Sequence, residues 1–240
     1  MILDCALGSD SKSQTGSFKQ ISAGKGYTCG LKSDNTLACW GYNYYGQSAP
    51  RTGSFKQVSV GGYHACGLKT DNTLACWGYN NYGQSKPPIG SFQQVSAGGK
   101  HTCGLKSDNT LLCWGNNTYG QSTPPTGTFK QVSAGEYHAC GLKSDNTLFC
   151  WGDNSYGQAT PPTDPFKQVS AGEYHTCGLK TDNTLICWGR NAENQSIPPT
   201  GTFKQVDAGA YRTCGLKTDN TLACWGDNSS GETTPPIGYF

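Results

Sequence analysis

The stretch FKQVSAGEYHACGLKSDNTLFCWGDNSYGQATPPTDP, residues 129–165, occurs six times in the chain with small changes. Its first phenylalanine recurs at a constant interval of 37 residues, at Phe18, Phe55, Phe92, Phe129, Phe166, Phe203 and Phe240. A fixed period of this length is the signature of a repeat architecture. Six full units occupy residues 18–239 without insertion. We therefore predict one domain over residues 1–240, in which residues 1–17 form a degenerate partial repeat.

Each repeat has the pattern of a small antiparallel sheet. In the first copy, residues 18–23 alternate apolar and polar, and residues 27–32 and 36–40 predict two further strands. Asn35 closes a turn that needs left-handed backbone, and Gln47 and Ser48 begin either a short fourth strand or an extended edge. No segment has helical periodicity. Since one such sheet cannot bury both faces alone, the repeats predict an all-β propeller of six blades.

The predicted core lies between the blades. Ile21, Leu31 and Leu37 are expected to fill this space, as are their copies in the other repeats. A tryptophan with the same expected packing role recurs at Trp40, Trp77, Trp114, Trp151, Trp188 and Trp225.

The composition excludes two kinds of partner. Charged residues make up 14% of the chain, the formal net charge is +2, and no block of like charge occurs. A nucleic-acid binder normally shows a concentrated basic surface, so we expect no nucleic-acid partner. No apolar run is long enough to span a bilayer, so we expect no membrane insertion.

Twelve of the 13 cysteines form one pair per repeat. If the turn at residues 33–35 closes the hairpin, Leu31 faces Leu37 and Cys29 faces Cys39 at a non-hydrogen-bonded position. There the Cα atoms are about 4.5 Å apart, within disulfide range. We predict six disulfides: Cys29–Cys39, Cys66–Cys76, Cys103–Cys113, Cys140–Cys150, Cys177–Cys187 and Cys214–Cys224. Buried free thiols are the alternative, and zinc is disfavoured because each pair supplies only two ligands. This disulfide density indicates an extracellular or periplasmic location.

The segments AGEYHACGLK (134–143) and LFCWGDNSYGQ (148–158) resemble the regulator of chromosome condensation (RCC1) repeat. The resemblance covers nearly the whole chain. It is greatest to a secreted bacterial branch that includes a β-lactamase inhibitor protein, and the cysteine-containing variant is also similar to extracellular propellers of plant receptor kinases. The chain lacks the inserted β-wedge that nucleotide exchange on a small GTPase would need, so that activity is not expected.

The resemblance leaves the number of blades open, because the family usually closes seven. Leu3, Asp4 and Cys5 are similar to part of a repeat, and Phe240 stands where a further repeat would begin. We favour six closed blades and a monomer. The alternative is an incomplete seventh blade, and dimerisation would then proceed through Cys5 or an open blade edge.

Differences among the repeats indicate a binding surface in two loops. One is the turn after Ala-Gly and the other is the loop after Trp-Gly, and loops on a rigid scaffold commonly carry recognition. The predicted ligand-binding residues are Tyr63, Lys100, Tyr137, Tyr174 and Tyr211 in the turns, and Tyr45, Tyr82, Tyr119 and Tyr156 in the loops. In the inhibitor branch, aromatic residues after the Ala-Gly turn resemble a protein-binding surface. The alternative is that these tyrosines only cover blade edges.

All four histidines, His64, His101, His138 and His175, share one repeat position. The family commonly has this histidine for structural reasons, so we interpret the set as framework and expect no metal or cofactor. No nucleophile–base set or phosphate loop stands out, which favours a non-enzymatic role. We predict an extracellular module that binds a protein partner. The alternatives are a multivalent lectin that binds glycans, and a structural or engineered scaffold without a ligand.

Overall fold

The computed structural model describes residues 17–231 and 233–234. Nearly all of the predicted partial repeat, including Cys5, lies outside the described residues, as does Phe240. The described residues form 18 strands and contain no helix that could cross a bilayer.

Each repeat forms one three-stranded antiparallel sheet, which we call a blade and number 1 to 6 along the chain. The inner strands are β1 (Phe18–Ala23), β4 (Phe55–Val60), β7 (Phe92–Ala97), β10 (Phe129–Ala134), β13 (Phe166–Ala171) and β16 (Phe203–Ala208). The middle strands are β2 (Tyr27–Lys32), β5 (His64–Lys69), β8 (His101–Lys106), β11 (His138–Lys143), β14 (His175–Lys180) and β17 (Arg212–Lys217). The outer strands are β3 (Leu37–Gly41), β6 (Leu74–Gly78), β9 (Leu111–Gly115), β12 (Leu148–Gly152), β15 (Leu185–Gly189) and β18 (Leu222–Gly226).

The hairpin between β2 and β3 has the predicted register. Cys29 pairs with Cys39 and Leu31 with Leu37, and the turn contains Asn35 at a φ of 70°. All six predicted disulfides are present, with Cα atoms 4.0 to 4.1 Å apart. The sequence therefore fixes both the turn and the cross-link.

The fourth strand considered for Gln47 and Ser48 does not form, because both residues lie in turns. Gln47 is instead fully buried, and its backbone oxygen accepts a hydrogen bond from Trp77 Nε1 of blade 2 at 2.8 Å. The same bond recurs in repeats 1 to 5, so the end of each of these repeats is held by the tryptophan of the next blade. This hydrogen bond holds adjacent blades together without adding a strand to either sheet.

Inner strands of adjacent blades are joined by side chains rather than by a backbone ladder. Gln20 Nε2 donates to the Val58 oxygen at 2.9 Å, and Gln20 Oε1 accepts from the Val58 nitrogen at 3.0 Å. Ser22 Oγ accepts from the Val60 nitrogen at 3.0 Å. The same bonds recur at each junction as far as blade 6. These glutamines and serines therefore set the spacing between blades.

Apolar residues fill the space between blades as predicted. Leu31 lies in one cluster with Phe55 and Val58 of the next blade, and Leu37 packs against it. Ile21, which was expected to join this core, is only half-buried, whereas its counterpart Val58 is 1% exposed. The difference arises because, among the described residues, β16 does not pack against β1 as the other inner strands pack against their neighbours.

Candidate functional site

Strand direction divides the propeller into two faces. The turn between the inner and middle strands lies beside the end of the outer strand, since Tyr27 pairs with Gly41. We call this side the turn face. The tight turns between middle and outer strands, such as residues 33–36, lie on the opposite side, which we call the hairpin face. Both loop sets predicted to bind a ligand therefore lie on the turn face.

Tyrosines from blades 1 and 2 form the first tyrosine cluster. Its members are Tyr42, Tyr44, Tyr45, Tyr63, Tyr79 and Tyr82. The ring of Tyr45 lies at its centre, 5.9 Å from the ring of Tyr63 and 4.8 Å from that of Tyr79. The Lys100 ammonium lies 5.6 Å from the centre of the Tyr82 ring, which extends the cluster to blade 3.

The second tyrosine cluster comprises Tyr119, Tyr137, Tyr156, Tyr174 and Tyr211. Tyr174 is at its centre, with the Tyr137 ring at 5.8 Å and the Tyr211 ring at 6.2 Å. The Arg190 guanidinium lies 4.9 Å from the centre of the Tyr211 ring. Burial raises the pKa of Tyr174, and the adjacent Glu173 raises it further, so this hydroxyl remains a hydrogen-bond donor.

One geometric rule explains both clusters: the loop tyrosine of one blade packs on the turn residue of the next. Tyr119 meets Tyr137 at 5.8 Å, and Tyr156 meets Tyr174 at 5.6 Å, each with a near-perpendicular arrangement of rings. Such edge-to-face pairs are favourable. Tyr119 and Tyr156 nevertheless remain 52% and 53% exposed. The rings thus brace the blade edges and still present surface to a partner.

The structure places all nine predicted ligand-binding residues in or against these two clusters. The predicted set omitted Tyr42, Tyr44, Tyr79 and Arg190, which also contribute. Tyr42, Tyr79 and Arg190 directly follow Trp-Gly in their repeats, so the shared repeat position was the available signal.

An ion-pair centre lies at the turn-face end of the propeller, in a funnel of about 520 Å³. The Lys25 ammonium of blade 1 lies 3.2 Å from Glu136 of blade 4 and 3.4 Å from Glu173 of blade 5. Burial raises the pKa of Glu136, while the Lys25 charge opposes this rise. Burial lowers the pKa of Lys25, but the two carboxylates outweigh it and the net shift is upward. No sequence pattern predicts this contact, because Lys25 is 111 positions from Glu136 and 148 positions from Glu173.

Space for this centre depends on Gly99. A Cβ atom at this position would lie 2.3 Å from the carboxylate carbon of Glu136. Blades 2 and 3 have glycine where blades 4 and 5 have glutamate, so the ion-pair centre is confined to one side of the funnel.

A central channel of about 550 Å³ runs between the inner strands and is lined largely by glutamine and serine. Asp207 replaces the serine of the other repeats and adds the one carboxylate among the described lining residues. Asp207 is exposed to the channel, and its enclosure by the inner strands raises the pKa of its carboxyl, whereas a hydrogen bond from Ser170 at 3.1 Å lowers it.

The four histidines lie inside the blades, and three of them link neighbouring blades by a hydrogen bond. His64 Nε2 is 2.7 Å from Thr102 Oγ1, which itself donates to the Gln84 oxygen at 3.0 Å. Since the hydroxyl has one proton, Nε2 must donate and Nδ1 is unprotonated. His138 and His175 make the same contact with threonines of the next blade. No group of three or more metal-ligating side chains suited to a metal ion occurs in the described part of the chain.

His101 differs, because blade 4 presents Ala139 where a threonine would stand, and both ring nitrogens of His101 lack a partner. Burial lowers the pKa of His64 and His138 to about 3 and that of His101 and His175 to about 4. All four rings are therefore neutral at physiological pH.

Comparison with known proteins gives one family. The profile described as the regulator of chromosome condensation (RCC1) repeat matches residues 18–47, 55–84, 92–121, 129–158, 166–195 and 203–232. No curated protein sequence matches the chain.

Two solved structures share 32% sequence identity with the chain. The first is the entire ectodomain of the receptor kinase CR4 from Physcomitrella patens, with a TM-score of 0.75 over 86% of this chain and 61% of that one. The chain thus spans about three fifths of that ectodomain. The second is the CRINKLY WD40 ectodomain of the receptor kinase ACR4 from Arabidopsis thaliana, with a TM-score of 0.73 over 87% of this chain and 79% of that one.

A more distant similarity supports the fold alone. Yeast RCC1 (Prp20), solved bound to Kap60, is 18% identical with a TM-score of 0.78, over 90% of this chain and 72% of that one. Six disulfides like those of this chain form and persist in oxidising environments, and both of these similar structures are receptor ectodomains.

Proposed function

The chain belongs to the RCC1 repeat family, and on that premise we propose that it is a non-enzymatic extracellular module that binds a protein partner through its turn face. In this proposal residues 1–240 act as one propeller domain and as a monomer. The similarity to receptor-kinase ectodomains supports an extracellular binding role.

The two tyrosine clusters carry the proposal. Protein-binding surfaces are enriched in tyrosine because the ring offers a large contact area and a polar tip at little entropic cost. Here the rings are held against each other across blade junctions, and each blade is cross-linked internally by one disulfide, such as Cys140–Cys150. A partner would therefore meet a surface that is ordered before binding, which lowers the entropic cost of association.

The differences among the turn-face residues of the six blades favour a protein partner over a repeated sugar ligand. A lectin with one pocket per blade needs similar residues in each copy, because avidity comes from equivalent sites. On the turn face, Lys100 replaces a tyrosine in blade 3, and Arg190 covers the tyrosine of blade 6. The turn position after Ala-Gly has glutamate only in blades 4 and 5, at Glu136 and Glu173, whereas blade 1 has Lys25 there. One asymmetric protein surface matches such a pattern better than a repeated glycan.

The buried histidines support a non-catalytic role. Histidine is the side chain that most often transfers protons near neutral pH. All four histidines of this chain are enclosed within the blades, and burial holds their pKa values at about 3 to 4. They are therefore unable to serve as solvent-facing bases at the turn face.

The test places a photo-crosslinking amino acid at Tyr119 and Tyr156 and, as a control, at Phe149. Phe149 is an aromatic residue of β12, 45% exposed, outside both tyrosine clusters. Each labelled protein is incubated with extracellular proteins of the source organism, and cross-linked products are identified by mass.

One protein captured from both tyrosine positions and not from Phe149 is the expected result, and its purified form should bind the unlabelled chain. Replacement of Tyr119 and Tyr156 by serine should weaken that binding at least tenfold, typical of truncated interface aromatics. A glycan-array signal that free sugar removes, together with no cross-linked protein, would instead establish the lectin.

A further inference from the structure

The hairpin face has a second surface feature, a set of lysines at the second position of the inner strands. All are exposed, and blade 3 alone has glutamine at this position. We call this set the lysine ring. It comprises Lys19, Lys56, Lys130, Lys167 and Lys204, with Gln93 in the place of a sixth lysine.

Each lysine of the ring donates from Nζ to the asparagine of its own hairpin turn, as Lys19 does to Asn35 Oδ1. Gln93 makes the equivalent bond without a charge, since its Nε2 lies 2.6 Å from Asn109 Oδ1. Gln93 Nε2 also donates to the Lys106 oxygen at 3.0 Å. A neutral amide therefore meets the structural need, and the positive charge in the other five blades has no structural explanation.

The charge of the lysine ring is not neutralised locally. Within the described residues, no ring lysine has a carboxylate within 4 Å, because the observed ion pairs involve other lysines and arginines. The nearby hairpin aspartates have a different role. Asp34 Oδ1 accepts hydrogen bonds from the Thr36 hydroxyl at 2.7 Å and the Thr36 nitrogen at 2.9 Å. These bonds hold the pKa of Asp34 below its usual range and orient its carboxylate toward its own turn.

Two lysines of the ring lie beside a common depression. Lys56, Gln93 and Lys130, from three successive blades, line one depression of about 520 Å³ with Leu68 and Leu105. The ring follows the inner strands, which surround the central channel, so its members enclose one opening. A concave surface lined by charges of one sign focuses the electrostatic potential and attracts a counter-ion of opposite sign.

We propose that the lysine ring is a binding site for a compact polyanion, a small molecule that carries several phosphate, sulfate or carboxylate groups. Lysine ammonium groups bind such oxyanions through charge-assisted hydrogen bonds. The enclosed arrangement favours a compact ligand over a linear polymer, because the charges surround one opening instead of forming a track. The site lies on the face opposite the tyrosine clusters. A test of this site therefore gives a result that does not depend on the proposed function.

The test is isothermal titration of the oxidised protein with inositol hexakisphosphate, and separately with inorganic phosphate, at low ionic strength. Blade 3 supplies the substitutions, since glutamine is already accommodated at this position. Lys56→Gln with Lys130→Gln should weaken inositol hexakisphosphate binding about tenfold, and Gln93→Lys should strengthen it several-fold. Lys86→Gln, the same change at an exposed lysine outside the ring, is the matched control and should have no effect.

Salt provides a second readout. Binding to the wild-type chain should weaken steeply with added salt, and the double variant should show a smaller salt dependence. Circular dichroism and thermal unfolding of each variant confirm that the fold is retained. Absence of inositol hexakisphosphate binding, or equal weakening by Lys86→Gln, would overturn the proposal. Binding of a linear sulfated polysaccharide without binding of the compact anion would overturn it as well.

Discussion

The unpartnered ring of His101 leads to a stabilising substitution, Ala139→Thr. In blades 3, 5 and 6 the equivalent threonine accepts a hydrogen bond from a histidine of the preceding blade and donates to a buried glutamine carbonyl. At the corresponding site beside blade 4, the carbonyl of Gln121 from repeat 3 is in place and already accepts from Trp151 Nε1 at 2.9 Å. A threonine at position 139 should therefore donate to Gln121 and accept from His101 Nε2.

The expected gain follows from the cost of an unmade bond. A buried donor without a partner costs about 1–3 kcal/mol. Adding two heavy atoms to a packed site opposes this gain, although Thr102 and Thr176 occupy the same environment without exposure. We expect a net stabilisation of about 1 kcal/mol, which raises Tm by roughly 2–4 °C for a chain of this size. The reverse change, Thr176→Ala, should destabilise by about 1–3 kcal/mol because it leaves His138 Nε2 without its partner.

Urea unfolding of the oxidised protein, followed by tryptophan fluorescence, measures both changes. Ala65→Thr is the matched control, since blade 1 has Tyr27 in place of a histidine and offers no ring nitrogen. The His101 ¹⁵N chemical shifts report separately whether Nε2 becomes hydrogen-bonded. If Ala139→Thr proved no more stable than Ala65→Thr, or the His101 shifts did not change, the reasoning would be refuted.

Three further predictions concern the buried histidines, one disulfide and the ion-pair centre. The free energy of unfolding should fall as the pH drops from about 6.5 toward 4, because the four histidines bind protons more readily in the unfolded chain. Each histidine lowers that free energy by up to about 1.4 kcal/mol per pH unit in this window, and its full contribution to stability is present above the window. Urea unfolding at pH 5 and pH 7 checks this, and equal stabilities would contradict it. Replacing Cys140 and Cys150 together by alanine should cost about 3 kcal/mol, measured by urea unfolding against the oxidised parent; an unchanged midpoint would show that the cross-link adds nothing. Lys25→Met should lower the free energy of unfolding by about 1 kcal/mol at pH 7, and by less at lower pH as Glu136 becomes protonated. Adding Glu136→Gln should recover part of this loss of stability. An effect of Lys25→Met that does not change with pH would argue against the ion-pair centre.

Much of the fold could be predicted from one repeat, because the interactions that define a blade are local. The hairpin from Tyr27 to Gly41 depends on a turn residue that tolerates left-handed backbone and on alternating apolar positions, all within 15 residues. Once the turn is placed, antiparallel register follows, and the register alone brings Cys29 opposite Cys39. The loop positions of the eight predicted tyrosines and Lys100 could be predicted in the same way, by alignment of the repeats.

The repeats are therefore enough to predict the blade: its strands, its turn, its disulfide and the positions that vary. The tertiary structure establishes which variable residues meet, because those contacts join blades at angles that no local pattern encodes. It alone brought Lys25 to Glu136 and Glu173 across the funnel, and left His101 facing an alanine. Contacts within a hairpin are set by sequence spacing, whereas contacts across the propeller depend on how whole blades pack.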